Sequence, residues 1–232
     1  MKRGLMRAAL LMAFMFGFSS LADAQETVLA RRIEADAPAS AVVWLPDGIS
    51  DGMFAWRIAE SAGVPLVFEG LPLAYRDPAT VPQRFDLDGL TVKQALDALV
   101  AQDSRYRWEA HDGIVIIRPS GLLSDPVDAL NQRIVGLQGE RVRLDDVLAR
   151  ITTAVRGTSV PPVGPAVVDS HEFALDAPGG TVLDLLAAAA RAHGAVMWSA
   201  PGGARGPDQG GFSIGFKTFA AAGAAAPGNA AR

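Results

Sequence analysis

A pattern of apolar positions that occurs twice after residue 40 constrains the fold of this chain more than any other feature. The segment F-x-L-D lies at 85–88 and again at 173–176, and a Thr-Val pair follows each copy, at Thr91 and at Thr181. Apolar residues then recur with the spacing i, i+3, i+4, i+7 and i+8, which is typical of one helix face. A tryptophan stands 17 residues after each threonine, at Trp108 and Trp198. We therefore expect a duplicated structural unit, with each tryptophan in a core.

Local signals predict the elements of each unit. Thr91 and Gln94 form a T-x-x-Q capping box, and Thr181 and Asp184 form a weaker one. Earlier helices are predicted over 53–62 and 144–155, and strands over 42–45, 106–109, 114–117, 132–137, 195–199 and 212–216. Asp112-Gly113 is a hairpin signal. The sequence predicts an α+β fold of two small α/β units with the order β-α-β-β-α-β, each a mixed sheet with two helices.

Composition places the boundaries of these units. The first unit is expected over 41–119 and the second, more diverged one over 131–219, with 120–130 as a linker or ordered turn. The join at 119–128 contains two prolines and a glycine, which favour a turn or linker. Residues 25–40 are polar and without pattern, so we expect a flexible segment. Residues 220–232 are Ala/Gly-rich, which predicts a disordered tail.

The first 24 residues have the layout of a secretory signal peptide. Basic residues precede an apolar run at 8–18, and the small-residue site Ala22-Asp23-Ala24 follows. Cleavage there would leave an exported chain with no later stretch long enough to span a membrane, which in a Gram-negative bacterium means the periplasm. The net charge of −4 favours no binding to nucleic acid, and the absence of cysteine excludes disulfides and cysteine-ligated metals.

Several motifs of the first unit together resemble a known family. They are WLPDGI at 44–49, IAESAGV at 58–64, FDLDG at 85–89, LTVKQALDAL at 90–99, YRW at 106–108 and GIVII at 113–117. This series resembles the short N-terminal domain shared by secretins and TonB-dependent signalling receptors, and residues 132–216 fit it more loosely. The resemblance implies a small periplasmic α/β domain that works through protein contacts. The expected partner is a secretin, a TonB-dependent receptor or an anti-sigma regulator.

Two other classes of function stay open. Gly48-Ile49-Ser50-Asp51-Gly52 matches the G-x-S-x-G nucleophile motif of serine hydrolases, although Ser50 or Asp51 as the cap of a helix near Met53 explains it more simply. The glycine-rich segment 201–211 could be a loop that binds a small ligand or cell wall. The three histidines are scattered and have no metal-binding spacing. We expect no enzyme activity, no cofactor and no metal.

Two features are candidates for the partner surface. Trp56 lies off the apolar stripe of its helix, and an exposed tryptophan often marks a contact. The run Ile114, Val115, Ile116 and Ile117 is apolar on both faces, so it could be a sheet edge to which a partner adds a strand. These five residues are the predicted interaction site.

Overall fold

The structure is a computed structural model that describes residues 27–33, 41–44, 49–72, 83–156, 169–200 and 214–219. The predicted signal peptide at 1–24, the 201–211 segment and the tail at 220–232 lie outside the described residues.

Separate helices and strands make up the described chain, which confirms the α+β class. The strands are β1 (Ala41–Trp44), β2 (Leu66–Glu69), β3 (Gln83–Asp86), β4 (Tyr106–His111), β5 (Ile114–Pro119), β6 (Arg133–Val142), β7 (Phe173–Thr181), β8 (Val196–Ala200) and β9 (Gly215–Thr218). The helices are α1 (Ile49–Ala62), α2 (Val92–Gln102), α3 (Leu144–Arg156) and α4 (Val182–His193). The order of the first half, β-α-β-β-α-β-β, recurs in the second as far as the described residues show it.

Both predicted capping boxes are confirmed. The Thr91 side chain accepts the backbone N–H of Gln94, whose side chain in turn accepts the N–H of Thr91 at 2.8 Å. Thr181 and Asp184 make the same reciprocal pair at the start of α4. Each box satisfies two backbone donors that the first helical turn leaves free.

The first helix begins earlier than the sequence predicts. Its backbone is helical from Ile49, so Ser50 and Asp51 belong to its first turn and neither precedes it as a cap. The additional turn carries Gly52 past β2, where a Cβ would lie 3.6 Å from the Phe68 ring. Packing on the sheet therefore favours continuing the helix through a residue with low helix propensity.

The central sheet has five strands in the order β4-β5-β2-β8-β9. Strand β2 is parallel to both β5 and β8, while β4–β5 and β8–β9 are antiparallel hairpins. The structure corrects one feature of the predicted fold here, because the two halves share this sheet instead of having one each. Strand β2 is buried along its whole length, and pairing with β8 removes an apolar open edge that would otherwise face water.

Alternate residues of the central strands enter two separate cores. Leu66 and Phe68 of β2 pack with α1 and α2, whereas Val67 between them packs with α4 on the other face. In β5, Val115 and Ile117 enter the same core as Leu66, and the apolar residues next to them enter the core around α4. Two-stranded ribbons cover the outer sides of the helices, β1–β3 next to α1 and β6–β7 next to α3 and α4.

The start of the described chain is packed, where the sequence predicts a flexible segment over 25–40. Val28 and Ile33 are buried in the core of the first half. The Ile33 N–H donates to the Leu90 carbonyl at 2.8 Å, and the Arg31 guanidinium donates to the Gly63 carbonyl at 2.7 Å. Two apolar side chains and these hydrogen bonds hold residues 27–33 against the domain.

Candidate functional site

The predicted docking strand is an interior strand. β5 pairs with β4 on one side and with β2 on the other, so its backbone has no open edge. Ile114, Val115, Ile116 and Ile117 are all buried, with Ile116 the most exposed at 6%. The prediction that a partner adds to this strand is therefore wrong. The run is apolar on both faces because helices cover both sides of the sheet at this strand.

Trp56 is partly covered by the end of the chain's second half. Its ring meets the Phe219 ring edge-on with centroids 6.0 Å apart, and the Lys217 ammonium lies 5.2 Å from its centroid. The indole therefore helps to join α1 to the region of β9. Its role in contacting a partner stays a prediction.

Of the two histidines that could serve a serine nucleophile, His171 and His193, the second has both ring nitrogens occupied. Nε2 of His193 lies 2.7 Å from Oδ2 of Asp169, and Nδ1 accepts the backbone N–H of Ala195 at 3.3 Å. A catalytic triad needs one of these nitrogens to face the nucleophile. The central sheet also separates α1, which carries Ser50, from α4, which ends at His193. The described geometry thus gives Ser50 no base in His193.

The Asp169–His193 pair fastens the end of α4 to the start of β7. Burial lowers the pKa of His193 and favours the neutral ring, whose Nε2–H donates to Asp169. Burial alone would raise the pKa of Asp169, but hydrogen bonds from the His171 N–H and from His193 hold it below its usual value. Gly194 follows in the left-handed conformation and ends the helix.

Strand β4, and not the predicted strand β5, lies at the open edge of the central sheet. Among the described strands it pairs only with β5. Arg107, Glu109 and His111 are exposed at alternate positions, on the side of the sheet that carries α4. On the opposite side Trp108 is only partly buried. Its indole N–H donates to Asp97 at 3.3 Å, and it does not lie fully in a core as predicted, whereas Trp198 does.

A cleft of about 490 Å³ lies beside this edge, between β4, α4 and the β6–β7 ribbon. It forms because α4 packs over β2, β5 and β8, while no helix of the described chain packs to a similar extent on the same side of β4. Its walls combine apolar side chains, glycines of β6 and β7, and charged groups. The lining residues are Glu109, Ala110, His111, Ile116, Ile134, Gly136, Asp176, Ala177, Pro178, Gly179, Gly180, Leu183, Asp184, Leu185, Ala187, Ala188 and Arg191.

A cluster of polar side chains is buried where the first half of the chain meets the second half. Arg118 at the end of β5 donates to Glu69 at 2.6 Å, to Asp128 at 3.1 Å and to Asn131 at 3.0 Å. Arg118, Glu69 and Asp128 are each at most 3% exposed. The Asn131 amide also donates to two carbonyls of the 120–130 segment. That segment is therefore the ordered turn of the two predicted alternatives, held to the sheet by a buried cation.

This cluster has two carboxyl groups for one guanidinium. Burial, together with a hydrogen bond to Asp128, raises the pKa of Glu69 to about 8, although the Arg118 charge opposes the shift. Oε1 of Glu69 and Oδ2 of Asp128 are buried and have no partner among the described atoms. A proton retained on Glu69 would satisfy both oxygens at once. The cluster is closed to solvent, so we assign it to folding and not to ligand binding.

Sequence reasoning missed both the cleft and the cluster, and only one of them left a signal. Arg118 directly follows four buried apolar residues in β5, and a charged residue that ends a buried strand needs a partner. The cleft left no comparable signal, because it depends on the position of α4 over the shared sheet.

No described helix is both long enough and apolar enough to cross a membrane. Within the described ranges, no group of three or more histidine or acidic side chains is arranged to hold a metal ion. Comparison of the chain with protein-family models, with curated proteins and with solved structures finds no match.

Proposed function

We propose that this chain is an exported, non-enzymatic interaction module of the cell envelope that binds a partner protein at the open edge of its central sheet. The observation that carries the proposal is strand β4, a six-residue edge strand with a cleft beside it. An open edge offers a row of backbone donors and acceptors, and many interaction domains bind extended segments in this way.

The partner class comes from the motif series of the first half. The series resembles the short domain of secretins and TonB-dependent signalling receptors, so the proposed partner is a secretin, a TonB-dependent receptor or an anti-sigma regulator. The signal-peptide layout of residues 1–24 supports a periplasmic location for that encounter.

Site-specific photo-crosslinking in intact cells tests this proposal. A photoreactive amino acid replaces Arg107, which is exposed on β4, in the full-length chain. The matched control carries the same group at Glu60, which is exposed on α1. We expect the Arg107 position to capture one protein of the three named classes in the periplasmic fraction, and the Glu60 position to capture it much less.

Two results would contradict the proposal. Equal capture at both positions would show that β4 is not the contact surface. Capture of no protein from these classes, by a folded and abundant chain, would remove the proposed partners.

A further inference from the structure

We propose that the cleft beside β4 binds an extended, basic peptide segment of the partner, which adds to β4 as a sixth strand of the central sheet. This inference rests on the proposed function and specifies the chemistry of the partner at the same edge. It follows from the shape of the cleft, from the side chains on the cleft side of β4 and from the charges in its walls.

The cleft suits a strand rather than a compact molecule. One side is the open backbone of β4, which spans six residues. Opposite it stand α4 and the glycine-rich part of the β6–β7 ribbon, with apolar Leu183 and Ile134 in the walls. Its volume of about 490 Å³ is enough for several side chains. A strand paired with β4 would direct every second side chain into this space.

The charges in the walls favour a basic occupant. Glu109, Asp176 and Asp184 line the cleft, against Arg191 and the His111 ring, and Arg107 lies outside the lining but on the same side of β4 as Glu109. Arg191 is already paired with Asp112 at 3.0 Å. None of the three wall carboxylates forms an ion pair with a cation among the described residues. Asp176 accepts a hydrogen bond from the Gln138 amide, and Asp184 caps the first turn of α4.

Glu109 sets the register of the proposed strand. Its pairing with Ile116 of β5 places its side chain on the same side of the sheet as the cleft. Residues directly opposite on neighbouring strands interact most strongly, and opposite charges there are stabilising. A lysine or arginine of the partner segment therefore pairs with Glu109, and the residue two positions away that lies opposite Arg107 is uncharged. A second basic residue on the other side of this pair lies opposite His111 and reaches toward the carboxylates of the far wall.

The test uses two blocked decapeptides of equal length, one with Lys at two alternate central positions in a Thr background and the other with Glu at the same two positions. Binding to the chain without its predicted signal peptide at 1–24 is measured by fluorescence anisotropy at several salt concentrations, and hydrogen exchange locates the contact. We expect the Lys peptide to bind, to be weakened by salt, and to protect the β4 amides. The Glu peptide is expected not to bind.

Two charge-reversal variants test whether the Lys peptide binds in the cleft or is attracted only by the net negative charge of the chain. Glu109→Lys is expected to weaken the Lys peptide about tenfold or more, because it turns an attraction into a repulsion at the centre of the site. Glu140→Lys makes the same charge change on β6, at an exposed position outside the cleft, and is expected to leave binding close to wild type.

Each outcome bears on the inference. Equal loss in both variants, equal binding of both peptides, or protection away from β4 would overturn it. Self-association of the chain through β4, seen as a dimer in sedimentation that the Lys peptide does not dissociate, would also overturn it. If crosslinking at Arg107 still captures an envelope partner while the Lys peptide fails to bind, the proposed function stands and only the basic chemistry of the segment is wrong.

Discussion

Glu69 is the residue whose chemistry departs most from its usual behaviour in water. Its carboxyl group shares the Arg118 charge with Asp128 in a site closed to solvent. Three charges of which two are negative would leave one buried carboxylate uncompensated, and retention of a proton avoids that cost. The pKa of about 8 expresses this balance.

The raised pKa predicts how stability changes with pH. Below pH 4.5 the Glu69 carboxyl is protonated in both the folded and the unfolded chain, and its contribution is fully present. Above pH 4.5 the unfolded chain releases the proton while the folded chain keeps it. The free energy of unfolding then falls by about 1.4 kcal/mol per pH unit and levels off above pH 8. Urea unfolding at a series of pH values measures this slope.

Glu69→Gln isolates the effect. The amide keeps an oxygen that can accept from Arg118 and supplies a donor toward Asp128, so we expect a folded variant without this fall between pH 4.5 and pH 8. Glu60→Gln, on the exposed face of α1, is the matched control and should keep the wild-type slope. An unchanged slope in Glu69→Gln would show that another group causes it.

At the scale of elements, the β6–β7 ribbon depends on a glycine at its closest approach. A Cβ at Gly136 would overlap the backbone of Ala177 and Pro178 in β7. We expect Gly136→Ala to lower the free energy of unfolding by more than about 2 kcal/mol, because the two strands must separate.

Thermal unfolding monitored by circular dichroism compares this variant with Gly121→Ala. Gly121 has open space at its Cβ position, so its substitution should change stability by less than about 0.5 kcal/mol. If the two variants unfold at the same temperature, the ribbon tolerates the added methyl group and the close approach is not essential.

The paired capping boxes predict equal losses in the two halves. Thr91→Ala and Thr181→Ala each remove a side-chain acceptor at a helix start, and each is expected to cost about 1 kcal/mol. Thr153→Ala within α3 removes no cap and should cost nothing, since alanine has the higher helix propensity. Chemical denaturation of the three variants gives the comparison. A loss in Thr153→Ala as large as the other two would mean that capping is not the cause.

At the scale of the whole molecule, the pairing of β2 with β8 makes the two halves one folding unit. Val67 of β2 belongs to the core of the second half, while Met197 of β8 belongs to the core of the first. Each core is thus completed by residues from the other half. We expect a single unfolding transition, with circular dichroism and tryptophan fluorescence changing at the same urea concentration.

Two matched core substitutions sharpen this prediction. Ile58→Val lies in the core of the first half and Ile151→Val in that of the second, and both residues are fully buried. Each should lower the stability of the whole chain by about 1 kcal/mol and shift the same transition. Two separate transitions, with each variant moving only one, would mean that the halves fold independently.

The local pattern of the sequence determined much of this molecule. The α+β class, both capping boxes, the end of α4 at His193-Gly194 and the hairpin at Asp112-Gly113 follow from signals within a few residues, because caps, turns and helical stripes are short-range interactions. The repeat of elements was visible for the same reason, since each unit carries its own local signals.

Only the tertiary structure decided which strand is the edge and where the halves meet. Ile114–Ile117 is apolar on both faces whether it lies at an edge or inside a sheet, so its composition could not distinguish the two cases. The β2–β8 pairing and the cleft beside β4 involve backbone groups that every residue has, and side chains far apart in the chain. Such contacts depend on how whole layers pack, and that information does not lie in any short stretch of residues.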